Sequence, residues 1–195
     1  EMKEGKEVFS MPLKSLKNMP GVHNQENICL AYAACKAIGI ESKVIKAAVK
    51  SYVGLKHRIQ LVGIRHGVKY INDSKATNSD SASVALKTFK NIHWICGGEK
   101  KEEKLTNLAF NAKFVKKVYV IGKHIKETFY GINRKKQGLI LNSKKEIYQL
   151  VKNQLKNNDR LMIKASNSTG LNIVASNIKK GKVILVKVMA NSIFL

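Results

Sequence analysis

The sequence predicts an α/β protein whose larger part is a mostly parallel sheet with helices on both faces. Three observations carry that prediction. From residue 57 onward, short runs rich in Val, Ile and Tyr alternate with longer stretches of helical periodicity, the pattern of successive βα units. Three small-polar loops, at 72–78, 97–101 and 164–170, each follow an apolar strand-like run. Strand ends are where open α/β sheets receive ligands. Residues 1–55 hold too few strands for a complete sheet and read as the tail of a separate α/β domain. Strands alternating with helices make the main sheet Rossmann-like.

The elements follow in order. Residues 6–13 read as a short strand stopped by Pro12, and Pro20-Gly21 marks a turn. A helix opens at His23–Asn27, with Ile28, Ala31, Tyr32, Cys35 and Ile38 at helical spacing and Gly39 at its end. Ser42 is placed as the cap of a second helix over 43–52, ended near Gly54, and a domain boundary follows at 54–56. Residues 57–64 and 68–71 read as a hairpin around Arg65-His66-Gly67. Helices are then expected over 81–89, 105–114, 123–130, 144–155 and 171–178, with strands over 92–96, 117–121, 139–141 and 161–164. The apolar run 183–190 suits another buried strand.

A chain of 195 residues that is 44% apolar can bury a substantial core. With no long uninterrupted apolar run and no secretory pattern, a cytoplasmic protein without membrane contact is expected. Cys29, Cys35 and Cys96 are odd in number and lack a CxxC spacing, so they read as reduced core cysteines. The net charge of +23 invites a nucleic-acid reading. Against it, the arginines are only Arg58, Arg65, Arg134 and Arg160, and the lysines are spread through every segment, as an A/T-rich coding sequence would produce. No aromatic residues interleave the short basic clusters to stack on bases, and nucleic acid is set aside as a partner.

The densest candidate site is Asn72-Asp73-Ser74-Lys75-Ala76-Thr77-Asn78. Lys75 can neutralise a phosphate or carboxylate, and Asp73 can orient a ribose, a metal-bound water or an arginine. Ser74 and Thr77 can donate hydrogen bonds or cap the next helix. Alternatively, Thr77, Asn78 and Ser79 cap that helix while Lys75 points into water. Asn24 and Asn27, three apart, can present both amides on the first turn of a helix, where anions are also favoured, or Asn24 can serve as an N-cap. Arg58 can clamp a phosphate or fix domain packing. Gly97-Gly98 lets a ligand approach the backbone, with Lys101 just beyond. No GxxxxGK[ST], HExxH or GxSxG motif occurs, and His57, His66, His93 and His124 show no relay pattern.

Taken in order, Gly21-Val22-His23-Asn24-x-x-Asn27, His57-Arg58, the 72–78 run and Gly97-Gly98 with Lys101 resemble the ATP-dependent Mur ligases. The resemblance is nearest to the branch that adds D-glutamate to UDP-N-acetylmuramoyl-L-alanine in peptidoglycan synthesis. It implies that residues 1–55 end a central ATP-binding domain and residues 56–195 form the C-terminal Rossmann-like domain. It also implies ATP and Mg²⁺ as cofactors, and a substrate carboxylate activated as an acyl phosphate that the amine of D-glutamate attacks. Asn24, Asn27, Arg58 and Asp73 would meet ATP, and Lys75, Thr77 and Lys101 the amino-acid substrate. In that family the phosphate loop, the magnesium ligands and the UDP-binding domain lie upstream of the matched residues. A monomeric parent enzyme is expected, with no catalytic residue in this stretch and no ligase activity from it alone. Ser168 falls at the family's serine for the D-glutamate carboxylate. The phenylalanine that should follow two helical turns later is replaced by Ala175, and 163–168 looks more like the loop of the ligase that adds D-alanyl-D-alanine. Two readings stay beside this one: a non-catalytic Rossmann-like binding module with a basic surface, its ligand nucleic acid or a partner protein, and another Mur or folylpolyglutamate-type ligase half.

Overall fold

The computed structural model describes residues 2–3, 6–7, 18–75, 79–97, 113–121 and 136–165, with helical positions at 171, 174 and 177. The chain divides into two compact units, Glu1–Gly54 and Leu55–Leu195.

In the first unit, β1 (Met2–Lys3) pairs antiparallel with β2 (Lys6–Glu7); the rest of the strand expected over 6–13 lies outside the described residues. Helix α1 (Val22–Ala37) starts at Gly21, whose φ of 102° lets the chain turn in but offers no side chain as a cap. Asn24 is therefore not the N-cap: it lies inside the first turn, and its Nδ2 donates to the Pro20 carbonyl at 2.8 Å. Gly39, at φ 86°, ends the helix in the left-handed region that other residues avoid. Helix α2 (Ser42–Ser51) is entered from Glu41, so Ser42 is its first residue and not its cap. The Ser42 hydroxyl instead meets the Tyr32 hydroxyl at 2.7 Å and ties α1 to α2. Ile28 and Ile45 are buried, whereas Ala31 and Ile38 of the expected helical stripe are exposed; Cys29, expected in the core, is exposed and Cys35 only half-buried. Two helices cannot by themselves cover each other's whole apolar surface.

The second unit is built on one sheet in the order β3-β4-β8-β5-β6-β7. Its strands are β3 (Gln60–Arg65), β4 (Val68–Asn72), β5 (Ile92–Gly97), β6 (Val115–Ile121), β7 (Gln137–Leu141) and β8 (Arg160–Ala165). Among the described strands of this sheet, only β3–β4 is antiparallel and the other pairs are parallel. His66 and Gly67 close that hairpin with φ of 47° and 72°, the two left-handed positions that a tight two-residue turn requires. The expected 57–64 strand begins only at Gln60, because 57–59 turn sharply. Helices α3 (Ser79–Thr88) and α4 (Lys144–Asn153) occupy two of the expected places. Ser143 caps α4 by accepting the Glu146 N–H, while Glu146 accepts the Asn142 N–H. Lys113 and Phe114 lie in a turn, not at the end of a helix. The remainder of the 105–114 helix, the 123–130 helix and the 183–190 strand fall outside the described residues.

Alternation along the strands divides the core into two layers. On one face Ile71, Trp94, Val118, Val120 and Met162 pack with Ala82, Ala85 and Leu86 of α3. On the other, Tyr70, Ile95, Tyr119, Leu161 and Ile163 pack with Ile147 and Leu150 of α4 and with Leu171 and Val174. Covered on both sides, β5 is buried at every residue, which is why it is apolar apart from His93. Cys96 is part of this core. Among the described residues, no helix is long and apolar enough to cross a membrane.

Candidate functional site

Strands β4, β8 and β5 are consecutive neighbours and run parallel. Their C-terminal ends, at Asn72, Ala165 and Gly97, therefore share one edge of the sheet. The three polar loops of the sequence leave from that edge.

The best-defined part of it is a corner where the start of β3 meets the end of β4. Asp73 is 1% exposed. Its N–H donates to the Ile163 carbonyl at 2.9 Å, extending the β4–β8 pairing past the strand. Its Oδ1 accepts the Ile59 N–H at 3.0 Å. The Lys75 N–H donates to the His57 carbonyl at 2.9 Å, and the His57 N–H donates to Gln60 Oε1 at 3.0 Å. Asn72 Oδ1 accepts the Ser74 N–H at 3.0 Å, which turns its Nδ2 towards His57 Nδ1 at 2.9 Å. An amide nitrogen can only donate, so His57 Nδ1 accepts and the ring carries its proton on Nε2. These bonds hold His57 at φ 65° and Ile59 at φ 45°. For a β-branched residue that conformation is strained, and it persists because surrounding contacts determine it.

Two buried polar atoms at this corner have no partner among the described residues: Asp73 Oδ2 and Ser74 Oγ. Burial pushes the Asp73 carboxyl up to about 6, although the Ile59 N–H and the charges of Lys164 and Arg58 pull the other way. At neutral pH it is ionised, with one oxygen bound by the protein and one available to a donor. An unmade hydrogen bond to a buried carboxylate is unfavourable, and a ligand N–H or O–H would relieve it. Arg58 and Lys75 are exposed beside it. The corner can accept from a ligand at Asp73 and offer cations at Arg58 and Lys75.

The structure thus brings Arg58, Asp73 and Lys75 together. Asn24 and Asn27 belong to the other unit; the Asn24 amide is already bonded to Pro20, while Asn27 is exposed. Thr77, Lys101 and Ser168 lie outside the described residues. Gly97 has a reason internal to the fold: a Cβ there would meet the Ile121 carbonyl oxygen of β6. Lys164 opens the third of the polar loops named from the sequence, though no role was expected of it. It is 4% exposed at the end of β8 and acts electrostatically on Asp73. A lysine closing an apolar strand was the available signal.

Sequence reasoning missed a buried polar chain at the opposite edge of the sheet. His93 Nε2 lies 3.3 Å from Asp159 Oδ2, and Lys116 Nζ donates to Asp159 Oδ1 at 2.7 Å. His93 Nδ1 and the Tyr119 hydroxyl are 3.0 Å apart, and that hydroxyl donates to Gln154 Oε1 at 3.0 Å. Burial pushes the His93 imidazole down despite Asp159. Burial alone would raise the Asp159 carboxyl, but hydrogen bonds from Lys116 and the Lys156 N–H hold it below its ordinary value. His93 therefore has a carboxylate and a phenol as partners, which no local spacing revealed. Among the described residues, no cluster of three His, Cys, Asp or Glu side chains could hold a metal ion.

Residues 57–167 match the family described as Mur ligase, glutamate ligase domain. The UDP-N-acetylmuramoylalanine--D-glutamate ligase of Roseobacter denitrificans is 49% identical over 123 residues, 63% of this chain and 26% of that protein. The chain thus spans about a quarter of the length of the curated relatives it matches. Two solved structures share the fold at 18% identity. The MurF ligase of Thermotoga maritima in complex with ADP has a TM-score of 0.62, covering 82% of this chain and 38% of that one. The UDP-N-acetylmuramate-alanine ligase MurC of the same organism has a TM-score of 0.63, covering 84% and 38%.

Proposed function

The chain belongs to the Mur ligase family, matched through its glutamate ligase domain, and from that premise we propose that it is part of the ligase adding D-glutamate to UDP-N-acetylmuramoyl-L-alanine. In this reading ATP phosphorylates the substrate carboxylate, the D-glutamate amine attacks the acyl phosphate, and phosphate leaves as the amide forms. Residues 1–55 are the end of the central ATP-binding domain and residues 56–195 the C-terminal domain. The protein works in the cytoplasm.

The observation that carries the reading is Asp73, a buried carboxylate at a strand end with Oδ2 unsatisfied and Lys75 exposed beside it. A nucleotide ribose supplies vicinal hydroxyls of the donor type that Oδ2 lacks. Support for a nucleotide also comes from the MurF neighbour, which binds ADP. Asn24, Asn27 and Arg58 are assigned to ATP with Asp73. Lys75, Thr77, Lys101 and Ser168 are assigned to the amino-acid substrate, where cations and hydroxyls suit carboxylates and the charge that develops during transfer. Magnesium is not assigned to a residue of this chain, because the family's magnesium ligands lie mostly upstream of the matched residues.

The test is phosphate release from ATP with UDP-N-acetylmuramoyl-L-alanine, D-glutamate and Mg²⁺ present. It is run on this chain alone and on the chain mixed with the N-terminal half of a D-glutamate-adding ligase. D-glutamate-dependent release in the mixture is expected, abolished by Asp73→Ala or Lys75→Ala. Release that needs another amino acid in place of D-glutamate, or a folate carboxylate in place of UDP-N-acetylmuramoyl-L-alanine, would overturn the substrate assignment. An unchanged rate in both variants would overturn the site.

A further inference from the structure

Lysines that look scattered along the sequence are gathered by the sheet topology at the edge opposite the candidate site. The parallel strands start there, and α3 and α4 end there. Backbone bonds from Lys69 to Asp159, Arg160 to Asn91, Ile92 to Phe114 and Val118 to Lys136 tie five strand starts into one row. At the usual strand spacing of about 4.8 Å, the row is about 19 Å long. Segments 65–69, 87–92, 113–117, 136–137 and 152–160 carry eleven lysines and arginines against one carboxylate, Asp159. That carboxylate is buried and already held by Lys116. Lys69, Lys90, Lys113 and Lys156 are exposed, and Arg160 and Lys136 partly so.

Helix dipoles explain only a lysine or two, since Lys87 and Lys152 lie in the last turns of α3 and α4. Lys69, Lys90, Lys113 and Lys156 stand exposed on four consecutive strand starts and their feeding turns. Like charges on neighbouring strands repel one another, and an anion lying along them would relieve that repulsion. The form of the row selects the anion. None of the exposed large hydrophobic side chains falls in these segments, so nothing here would insert into a lipid surface. A line of cations repeating strand by strand fits a chain of regularly spaced phosphates.

We infer that this edge is a binding surface for single-stranded nucleic acid, held through its phosphate backbone without sequence readout. The inference does not depend on the ligase reading, because it uses no residue of the Asp73 corner. Lys90 lies 6.0 Å over the Phe114 ring and Arg160 6.0 Å over the Phe89 ring. These contacts fix the two cations and occupy the aromatic faces, so base stacking contributes little. If about five phosphates are neutralised, log Kd should rise with log salt with a slope of about 3 to 4.

The experiment is fluorescence anisotropy of a short fluorescein-labelled oligouridine with the whole chain, from about 50 to about 200 mM salt. Net charge alone would make so basic a chain bind RNA, so two variants of equal net charge are compared. The edge variant carries Lys69→Gln, Lys90→Gln, Lys113→Gln and Lys156→Gln; the control carries Lys43→Gln, Lys50→Gln, Lys144→Gln and Lys145→Gln. The edge variant is expected to lose about tenfold or more in affinity and to flatten the salt slope, with the control close to wild type. If the quadruple edge variant does not fold, Lys90→Gln with Lys113→Gln is expected to show a smaller loss of the same kind. Equal weakening in edge and control variants would overturn the surface. So would no binding at the lowest salt, or binding to phosphatidylserine vesicles in preference to the oligonucleotide.

Discussion

Asp73 and Ile59 are joined across fourteen residues by a single buried bond, the Ile59 N–H donated to Asp73 Oδ1 at 3.0 Å. The bond does two things at once. It helps hold a β-branched residue in left-handed backbone, and it occupies one carboxylate oxygen while the other has no partner among the described residues. Asp73 thus serves both the fold and the candidate site, and substitutions there should be read on both.

The pH dependence of Asp73 follows from its raised pKa. The folded value is about 6 against an ordinary value of 3.8. Between these values the folded state binds more protons than the unfolded one, so this group's contribution to stability falls as pH rises through that window. Asp73→Asn removes the dependence. Denaturant melts of the two proteins should show wild type gaining on the variant by about 2 kcal/mol as pH drops from the upper to the lower value. A constant difference would mean that Asp73 is not buried as an ionisable group.

Arg58 provides the contrast. It is exposed, and its backbone N–H donates to the Leu55 carbonyl whatever the side chain. Arg58→Ala should leave the denaturation midpoint unchanged and weaken ADP binding by about tenfold, the loss of one charged contact to phosphate, measured by isothermal titration calorimetry on the complemented enzyme. An equal loss of stability would assign Arg58 to packing.

Asp159 neutralises the buried chain at the other edge, against His93 at 3.3 Å and Lys116 at 2.7 Å. Asp159→Asn removes the ionic partner of Lys116, whose half-exposed side chain can turn to water, and should destabilise the protein by about 1 kcal/mol in chemical denaturation. The wild-type sign is acidic: the lowered carboxyl of Asp159 gives stability that is lost as pH falls through its folded pKa. His93, also lowered, loses its share as pH falls from 6.5 towards its folded value. His93 should therefore titrate below an ordinary histidine by NMR, and lower still in Asp159→Asn.

Gly97 ends β5 where a Cβ would run into the Ile121 carbonyl of β6. Backbone cannot yield as a side chain can, so Gly97→Ala should destabilise by about 1–3 kcal/mol and shift the amide resonances of β5 and β6. If stability is unchanged and only nucleotide binding falls, the glycine serves the ligand and not the sheet.

The sequence by itself determined the repeating βα order, because strands covered on both faces must be apolar throughout and their helices must keep a 3.6-residue stripe. It also located the 72–75 loop, since small polar and charged residues cluster at a strand end for few other reasons. Its local rules misplaced what long-range bonds decide. Residues 57–59 have the side chains of a strand, yet Asp73, Asn72 and Lys75 bend them into a turn from fourteen or more residues away. Ser42 has the chemistry of a cap, but Tyr32 takes its hydroxyl. His93 finds Asp159, and the lysines find one edge, only because β8 inserts between β4 and β5. Periodicity records which face a residue must turn inward; which distant residue it then meets is set by strand order, and only the folded sheet contains that.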